Sequence, residues 1–296
     1  MQNSVEPGGL SAKDWLFIAL GLFTAYLLWN VWTGVKRHLA DGKSKPTLAM
    51  IATGAVTAFF DTLGIGSFAT TTSIVRQWNL VDVAVLPGTL NVGHALGTVA
   101  QAYIYTKLVP VDSTTLILMI GASVVGAWLG AGIVGHWPKA RIQYGMGILL
   151  LGAAAIFLGG VMNWLPAGSD ATSLTGAKLG IGLAGNFALG ALMTLGIGLY
   201  GPCMILVSLL GMNSTTAFPI MMGSCAFLMP IASARFIKLD RFDPGAALSI
   251  MIGGLPATLI AAFLVVSMPL TYVKWLVIIV VTYTSINLLR SARAGT

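Results

Sequence analysis

The chain alternates long apolar runs with short polar loops. A run of about 20 apolar residues spans the hydrocarbon core of a bilayer as a helix. The first such run is Trp15–Val35. Others lie near Leu48–Trp78, Val83–Thr106, Thr114–Gly135 and Ile142–Val161. After a polar stretch from Asn163 to Lys178 come Leu179–Leu210, Thr216–Ala234, Pro244–Val266 and Tyr272–Leu289. The pattern predicts an all-α polytopic membrane protein, with one anchor helix followed by two sets of four segments. It divides the chain into an anchor and basic loop (1–45), a first membrane repeat (46–162), a linker (163–178) and a second repeat (179–296).

The two sets share sequence at a fixed spacing. Thr62-Leu63-Gly64-Ile65-Gly66 recurs as Thr194-Leu195-Gly196-Ile197-Gly198, Pro87 as Pro219 and Gly121 as Gly253. One residue out of step, Asp112 pairs with Asp243 and Pro138 with Pro269. Five identities in a row, with prolines and glycines in register, mark a duplication. The repeated motif sits in an odd element. As one helix, Leu48–Trp78 would be about 46 Å long, against a hydrocarbon core of roughly 30 Å. Two readings compete: a tilted, kinked span, or two half-helices meeting at a tip inside the membrane. Irregular backbone at that depth needs protein or a cavity around it. The re-entrant reading gives each repeat three crossings, so the halves are inverted, as in many secondary transporters.

Composition narrows the class. Hydrophobic residues make up 56% of the 296 and charged residues 8%, with a mean hydropathy of +0.88. Soluble domains carry roughly 25% charged residues. A soluble enzyme, a disordered chain and a nucleic-acid binder are all poor fits. The +7 net charge reflects basic loops rather than a nucleic-acid partner. Lys36, Arg37, His38, Lys43 and Lys45 form the densest basic cluster. The positive-inside rule makes that loop cytoplasmic, with the N-terminus outside and the C-terminus inside a cell (inner) membrane. Glu6, Lys13 and Asp14 before the first run do not make a signal-peptide start, so that run reads as a retained anchor.

The duplicated Gly-x-Gly element, each copy followed by a proline-started helix, resembles the sulfite exporter TauE/SafE family. Gly64-Ile65-Gly66-Ser67, Leu86-Pro87-Gly88-Thr89-Leu90-Asn91 and Gly196-Ile197-Gly198 carry the resemblance, which covers most of the chain after the anchor. The family motif continues with more glycines, where Ser67-Phe68 and Leu199-Tyr200 stand here. The resemblance implies a permease, usually an exporter, for sulfite, an organosulfonate or a similar sulfur-containing anion. Proton coupling is the family supposition.

Physics gives a separate reason to expect an anion. A half-helix starting after Gly66 presents the N–H groups of Ser67, Phe68 and Ala69 where the macrodipole places about half a positive charge. Helix N-termini are oxyanion sites, and broken transporter helices use them so. Leu199, Tyr200 and Gly201 would do the same in the second copy. The substrate-binding candidates are therefore Gly64, Gly66, Ser67, Phe68, Thr71, Asn91, Gly196, Gly198, Tyr200, Gly201 and Cys203. Hydroxyls such as Thr70 and Thr71 have a plainer use in bonding their own helix carbonyls. Cys203 stands at the place of Thr71, and buried thiols are commonly small apolar filler, as Cys225 is expected to be.

Asp61 is the one acid inside an apolar segment. A charge there is costly, and an intramembrane ionisable group is a functional hypothesis by default. Proton coupling beside an anion site and a structural hydrogen bond, for example to His94 or a backbone N–H, are the two readings. Its counterpart in the second copy is Met193. His94 is the second proton-coupling candidate, set against a packing role. Gln101 follows seven residues later on nearly the same face, which favours a polar stripe. Arg235 and Lys238 read as interface-snorkelling residues at a helix end.

Enzyme motifs for zinc, nucleophile-elbow or phosphate-loop chemistry do not occur in the sequence. The reading is a non-enzyme without cofactor or metal, whose partners are a small inorganic or organic anion and the lipid bilayer. A homo-oligomer is compatible with it. The rival functions are a cation or metal-ion transporter using Asp61, and a non-transporting membrane scaffold.

Overall fold

The computed structural model describes residues 10–39, 45–64, 66–82, 85–133, 139–162, 170–193, 198–267 and 270–293. Among these residues the fold is all-helical, apart from one isolated bridge between Ala171 and Met212. The helices are α1 (Ala12–Leu39), α2 (Leu48–Thr62), α3 (Ser67–Trp78), α4 (Leu86–Leu108), α5 (Ser113–Ile133) and α6 (Lys139–Val161). They continue as α7 (Gly176–Met193), α8 (Tyr200–Leu209), α9 (Ala217–Lys238), α10 (Pro244–Ser267) and α11 (Leu270–Arg293). Each predicted apolar run is helical. The two overlong runs are each interrupted at the Gly-x-Gly motif, giving α2 and α3 in the first and α7 and α8 in the second. Several residues singled out in the sequence lie outside the described ones: Glu6, Lys43, Ile65, Pro138, Thr194 through Ile197 (Gly196 among them) and Pro269.

Among the described residues, four helices are long and apolar enough to cross a membrane, over Ala12–His38, Gly176–Met193, Ala217–Lys238 and Pro244–Leu264. Their environments differ sharply. In the most apolar window of α9, 89% of residues are buried, against 17% in α1. Comparable hydropathy with opposite burial separates a central helix from one that faces lipid. Trp15, Leu22, Trp29 and Trp32 on α1 are all exposed. α1 leans on α9 through Phe23 against Phe227, and the α1 residue His38 bonds Asp240 at 2.7 Å.

The pairing of the other helices is close. α2 packs on α10, α7 on α5, α4 on α9 and α6 on α11. Lipid offers no hydrophobic drive between helices, so small residues that let backbones approach do much of this work. A side chain on Gly253 of α10 would run into the Ile51 carbonyl of α2, and one on Gly190 of α7 into the Ser123 carbonyl of α5. The two acids paired in the sequence do the same job. The Asp112 carboxylate accepts the Thr115 N–H at 2.8 Å at the start of α5, and that of Asp243 accepts the Ala246 N–H at 2.9 Å at the start of α10. Each caps its helix where the first N–H groups lack partners.

Helix ends gather in two groups. In the first, the Thr47 N–H donates to the Ser249 hydroxyl at 3.0 Å, and the Asp243 N–H donates to the Thr89 hydroxyl at 2.8 Å. The starts of α2, α4 and α10 thus lie together with the end of α9. In the second, the Asp112 N–H donates to the Thr172 carbonyl at 3.0 Å, and the Asn213 N–H to the Ala171 carbonyl at 2.8 Å. The starts of α5, α7 and α9 lie together there. Tyr105 near the end of α4 stacks on Phe218 near the start of α9, so α4 and α9 run antiparallel.

Candidate functional site

The first break is made by glycine. The Gly64 N–H closes the end of α2 on the Asp61 carbonyl at 2.9 Å. Gly64 has φ +93° and Gly66 has φ +84°, a region that residues with a Cβ enter only at a cost. Gly66 is also the N-cap of α3 and has no side chain to cap it with. Asp61 supplies the cap from six residues back: its Oδ1 accepts the Ser67 N–H at 2.5 Å. One donor of the predicted anion seat is therefore already taken by a carboxylate of the chain itself.

A hydrogen-bonded network spreads from that carboxylate. Gln101 Nε2 donates to Asp61 Oδ2 at 2.9 Å and lies 3.0 Å from the Thr62 hydroxyl. The Gln101 Oε1 accepts the Tyr200 hydroxyl at 2.7 Å, and Tyr105 donates to the Thr62 carbonyl at 3.0 Å. Tyr200 is the first residue of α8, so Gln101 of α4 ties one glycine break to the other. Leu199 stands at the N-cap position of α8 and has no group to cap it with, and no other side chain among the described residues does so.

The two breaks face one small cavity of about 20 Å³, room for about one water. Of the sequence candidates, Asp61, Gly66, Ser67, Phe68, Gly198 and Tyr200 line it, with Thr98, Met193 and Cys225. The remaining described candidates lie elsewhere. Gly64 packs near Met204, Met221 and Phe218. Gly201 and Cys203 follow on α8 without lining the cavity. Thr71 and His94 are paired with each other at 3.0 Å, so the histidine does not partner Asp61. The Thr70 hydroxyl bonds the Ser67 carbonyl at 3.0 Å, the plain helix use of a threonine.

Asn91 lines a second and larger cavity of about 470 Å³. Arg235 and Arg241 line it as well, with Trp128, Leu228 and Ala232. It opens at the bundle end where α9 finishes. Asn91 and Thr98 are seven residues apart on α4, so they share a face, and the large cavity lies on the same side of α4 as the small one. Two residues here were not among the site candidates. Gln101 is a buried amide bridging two elements, and its sequence signal was a place on a polar stripe with His94. Arg235 lines a cavity, where a helix-end arginine reads by default as an interface residue.

The family model of the sulfite exporter TauE/SafE family matches residues 8–158, just over half of the chain. The chain belongs to that family. The TauE/SafE match begins before α1 and ends within α6, so it includes the anchor helix and stops short of the second Gly-x-Gly break. No curated protein and no solved structure matches the chain. Membership in TauE/SafE, with apolar helices of spanning length, makes this a multi-pass membrane protein of a transporter family whose namesake substrate is sulfite.

Proposed function

We propose that the chain is a secondary transporter of small sulfur oxyanions, sulfite or an organosulfonate, working by alternating access. The observation that carries the reading is the meeting of two glycine breaks on one small cavity. Backbone N–H groups of α3 and α8 and the Tyr200 hydroxyl supply neutral donors there, as broken helices do in other transporters. Asp61 is the proton-coupling group of this reading. His94, bonded to Thr71, holds α3 against α4 instead.

Two inverted repeats with re-entrant hairpins provide the moving parts. Support for the hairpins comes from the gathered helix ends. α2 and α4 begin at the same end of the bundle, as a chain that enters and returns through α2 and α3 would. α7 and α9 begin together at the other group of ends, as the second hairpin requires. The antiparallel run of α4 and α9 agrees with inversion. A water-sized cavity is too small for sulfite, so binding requires the tips to part. The larger cavity beside Arg235 and Arg241 is then the approach from the basic end of the bundle, cytoplasmic by the positive-inside rule. That orientation puts the N-terminus outside, the C-terminus inside and the protein in the cell (inner) membrane.

Flux into proteoliposomes separates this reading from its rivals. Sulfite and sulfonate should move and a panel of metal cations should not. Cation flux dependent on Asp61 would favour a cation transporter, and a folded protein that moves nothing would favour a scaffold. Cysteine labelling at Gln77 should occur on the same side of the membrane as at Lys45. Labelling from opposite sides would sink the hairpins.

A further inference from the structure

The two tips differ in what sits at their helix N-termini. At α3 the Ser67 N–H holds the Asp61 carboxylate at 2.5 Å, and the other carboxylate oxygen takes Gln101 at 2.9 Å. At α8 the N-cap residue is Leu199, no side chain among the described residues caps the helix, and Met193 stands where a second carboxylate would be. Both termini face the same cavity, whose roughly 20 Å³ holds about one water. No Lys or Arg lines it among the described residues. A carboxylate and a second oxyanion there would repel each other with little water between them, and like charges in such a site disfavour one another's ionised form.

We propose that Asp61 is the resident anion of the site: its carboxylate occupies the α3 N-terminus until a proton neutralises it, so that each substrate oxyanion is bound together with one proton. The inference rests on the oxyanion reading of the tips given above. The proton adds to a carboxylate oxygen of Asp61, and no other bond forms or breaks. The neutral carboxyl gives up its hold on the Ser67 N–H, which becomes free for an oxygen of the substrate. Gln101 still donates to the other Asp61 oxygen and keeps the side chain in place.

The titratable groups near Asp61 are few. Tyr200 of α8 reaches it through Gln101, Tyr105 of α4 bonds the neighbouring Thr62 carbonyl, and Cys225 of α9 lines the same cavity. His94 of α4 lies against Thr71 and Phe68 of α3. α10, packed along α2, brings no titratable side chain. Asp61 is therefore the one acid available to take the proton. Anion and proton then travel in the same direction. A dianion so carried still moves one net negative charge, so an inside-negative membrane favours its exit, while a singly charged sulfonate crosses without net charge.

The test uses the purified full chain and ethanesulfonate, which stays singly charged across the pH range. Wild-type protein should take up close to one proton per anion from weakly buffered solution, and its Kd should rise about tenfold per pH unit on the alkaline side. Asp61→Asn should bind without proton uptake, with a flat pH profile, and more tightly than wild type at alkaline pH. Binding without proton uptake by the wild type overturns the inference and spares the oxyanion site. So does an Asp61→Asn protein that still takes up a proton, or one that is folded yet binds at no pH. Should that variant not fold, the wild-type proton count decides alone. Met193→Asp adds a second resident carboxylate and should raise that count towards two. A wild type that binds neither ethanesulfonate nor sulfite removes the oxyanion reading, and this inference with it.

Discussion

The two glycine breaks share a motif and differ in their contents. At the first, Gly66 has φ +84° and the helix that follows is capped by Asp61. At the second, Gly198 is not among the positive-φ glycines, Met193 replaces the acid, and α8 starts with Tyr200 without a cap from any described side chain. One backbone device, a short helix starting at a buried cavity, thus appears twice with opposite electrostatics. The first terminus is occupied by the Asp61 side chain, and among the described residues no side chain stands at the second in that way. In a membrane interior, where free charges are costly, such a pair would, on the function proposed above, let one side chain decide when an outside anion is admitted. The backbone supplies the site, and single positions supply its chemistry.

The sharpest way to break the comparison is to put a methyl group on each glycine. Gly66→Ala forces a Cβ into a positive-φ conformation, which costs on the order of 1–3 kcal/mol where the structure cannot relax. It should lower sulfite flux about tenfold to a hundredfold. Gly198→Ala meets no such strain, and its Cβ would find no atom within 4 Å. Flux through that variant should stay within about threefold of wild type, since the added methyl group meets neither strain nor a steric partner. Equal losses at the two positions would mean that both tips need glycine for approach to the ligand rather than for φ. The two tips would then not differ in their backbone.

A smaller effect is expected where the tips are joined. Tyr200→Phe removes the donor that satisfies the Gln101 carbonyl oxygen at 2.7 Å. Leaving a buried acceptor without its partner costs about 1–3 kcal/mol. Flux should fall about tenfold. Gln101→Leu removes the link from the other side and adds the loss of a donor to Asp61. Because both changes break one network, the double variant should lose much less than the product of the two single losses. Independent, multiplying losses would show that Tyr200 acts on the substrate alone and that Gln101 does not couple the tips.

Much of the fold was legible in the sequence, because membrane helices are long and apolar and carry their lengths openly. The breaks were legible too, since Gly-x-Gly in an overlong run has little other use. The contents of the site were not. Asp61 stood out as an acid in an apolar run, but its bond to Ser67 depends on two positive-φ glycines folding the chain back by six residues. Gln101 was placed on a polar stripe, and periodicity cannot tell a stripe that faces a partner helix from one that faces a site. Arg235 has the same sequence signature whether it reaches for lipid headgroups or lines a cavity. Neither the pairing of α2 with α10 nor that of α7 with α5 follows from the runs, because glycine contacts that close those pairs are set by approach in space.

The smallest effect is predicted for Cys203, and it tests whether the matched positions of the two tips share a role. Thr71 at the matching place bonds His94 at 3.0 Å and so ties α3 to α4. Cys203 is fully buried and does not line the cavity between the breaks. A thiol so placed cannot touch a sulfur oxyanion held at the tips, and a buried free cysteine behaves as a small hydrophobe. Cys203→Ala should therefore leave sulfite flux within about twofold of wild type, with a stability loss of roughly 1 kcal/mol from the lost sulfur contacts. Thr71→Val, which keeps the volume and removes the hydroxyl, should cost a similar amount of stability, about 1 kcal/mol for one hydrogen bond. Flux and thermal unfolding of the same preparations separate the two quantities. A tenfold loss of flux in Cys203→Ala, at unchanged thermal stability, would put the thiol in the transport pathway and return Cys203 to the substrate-binding group.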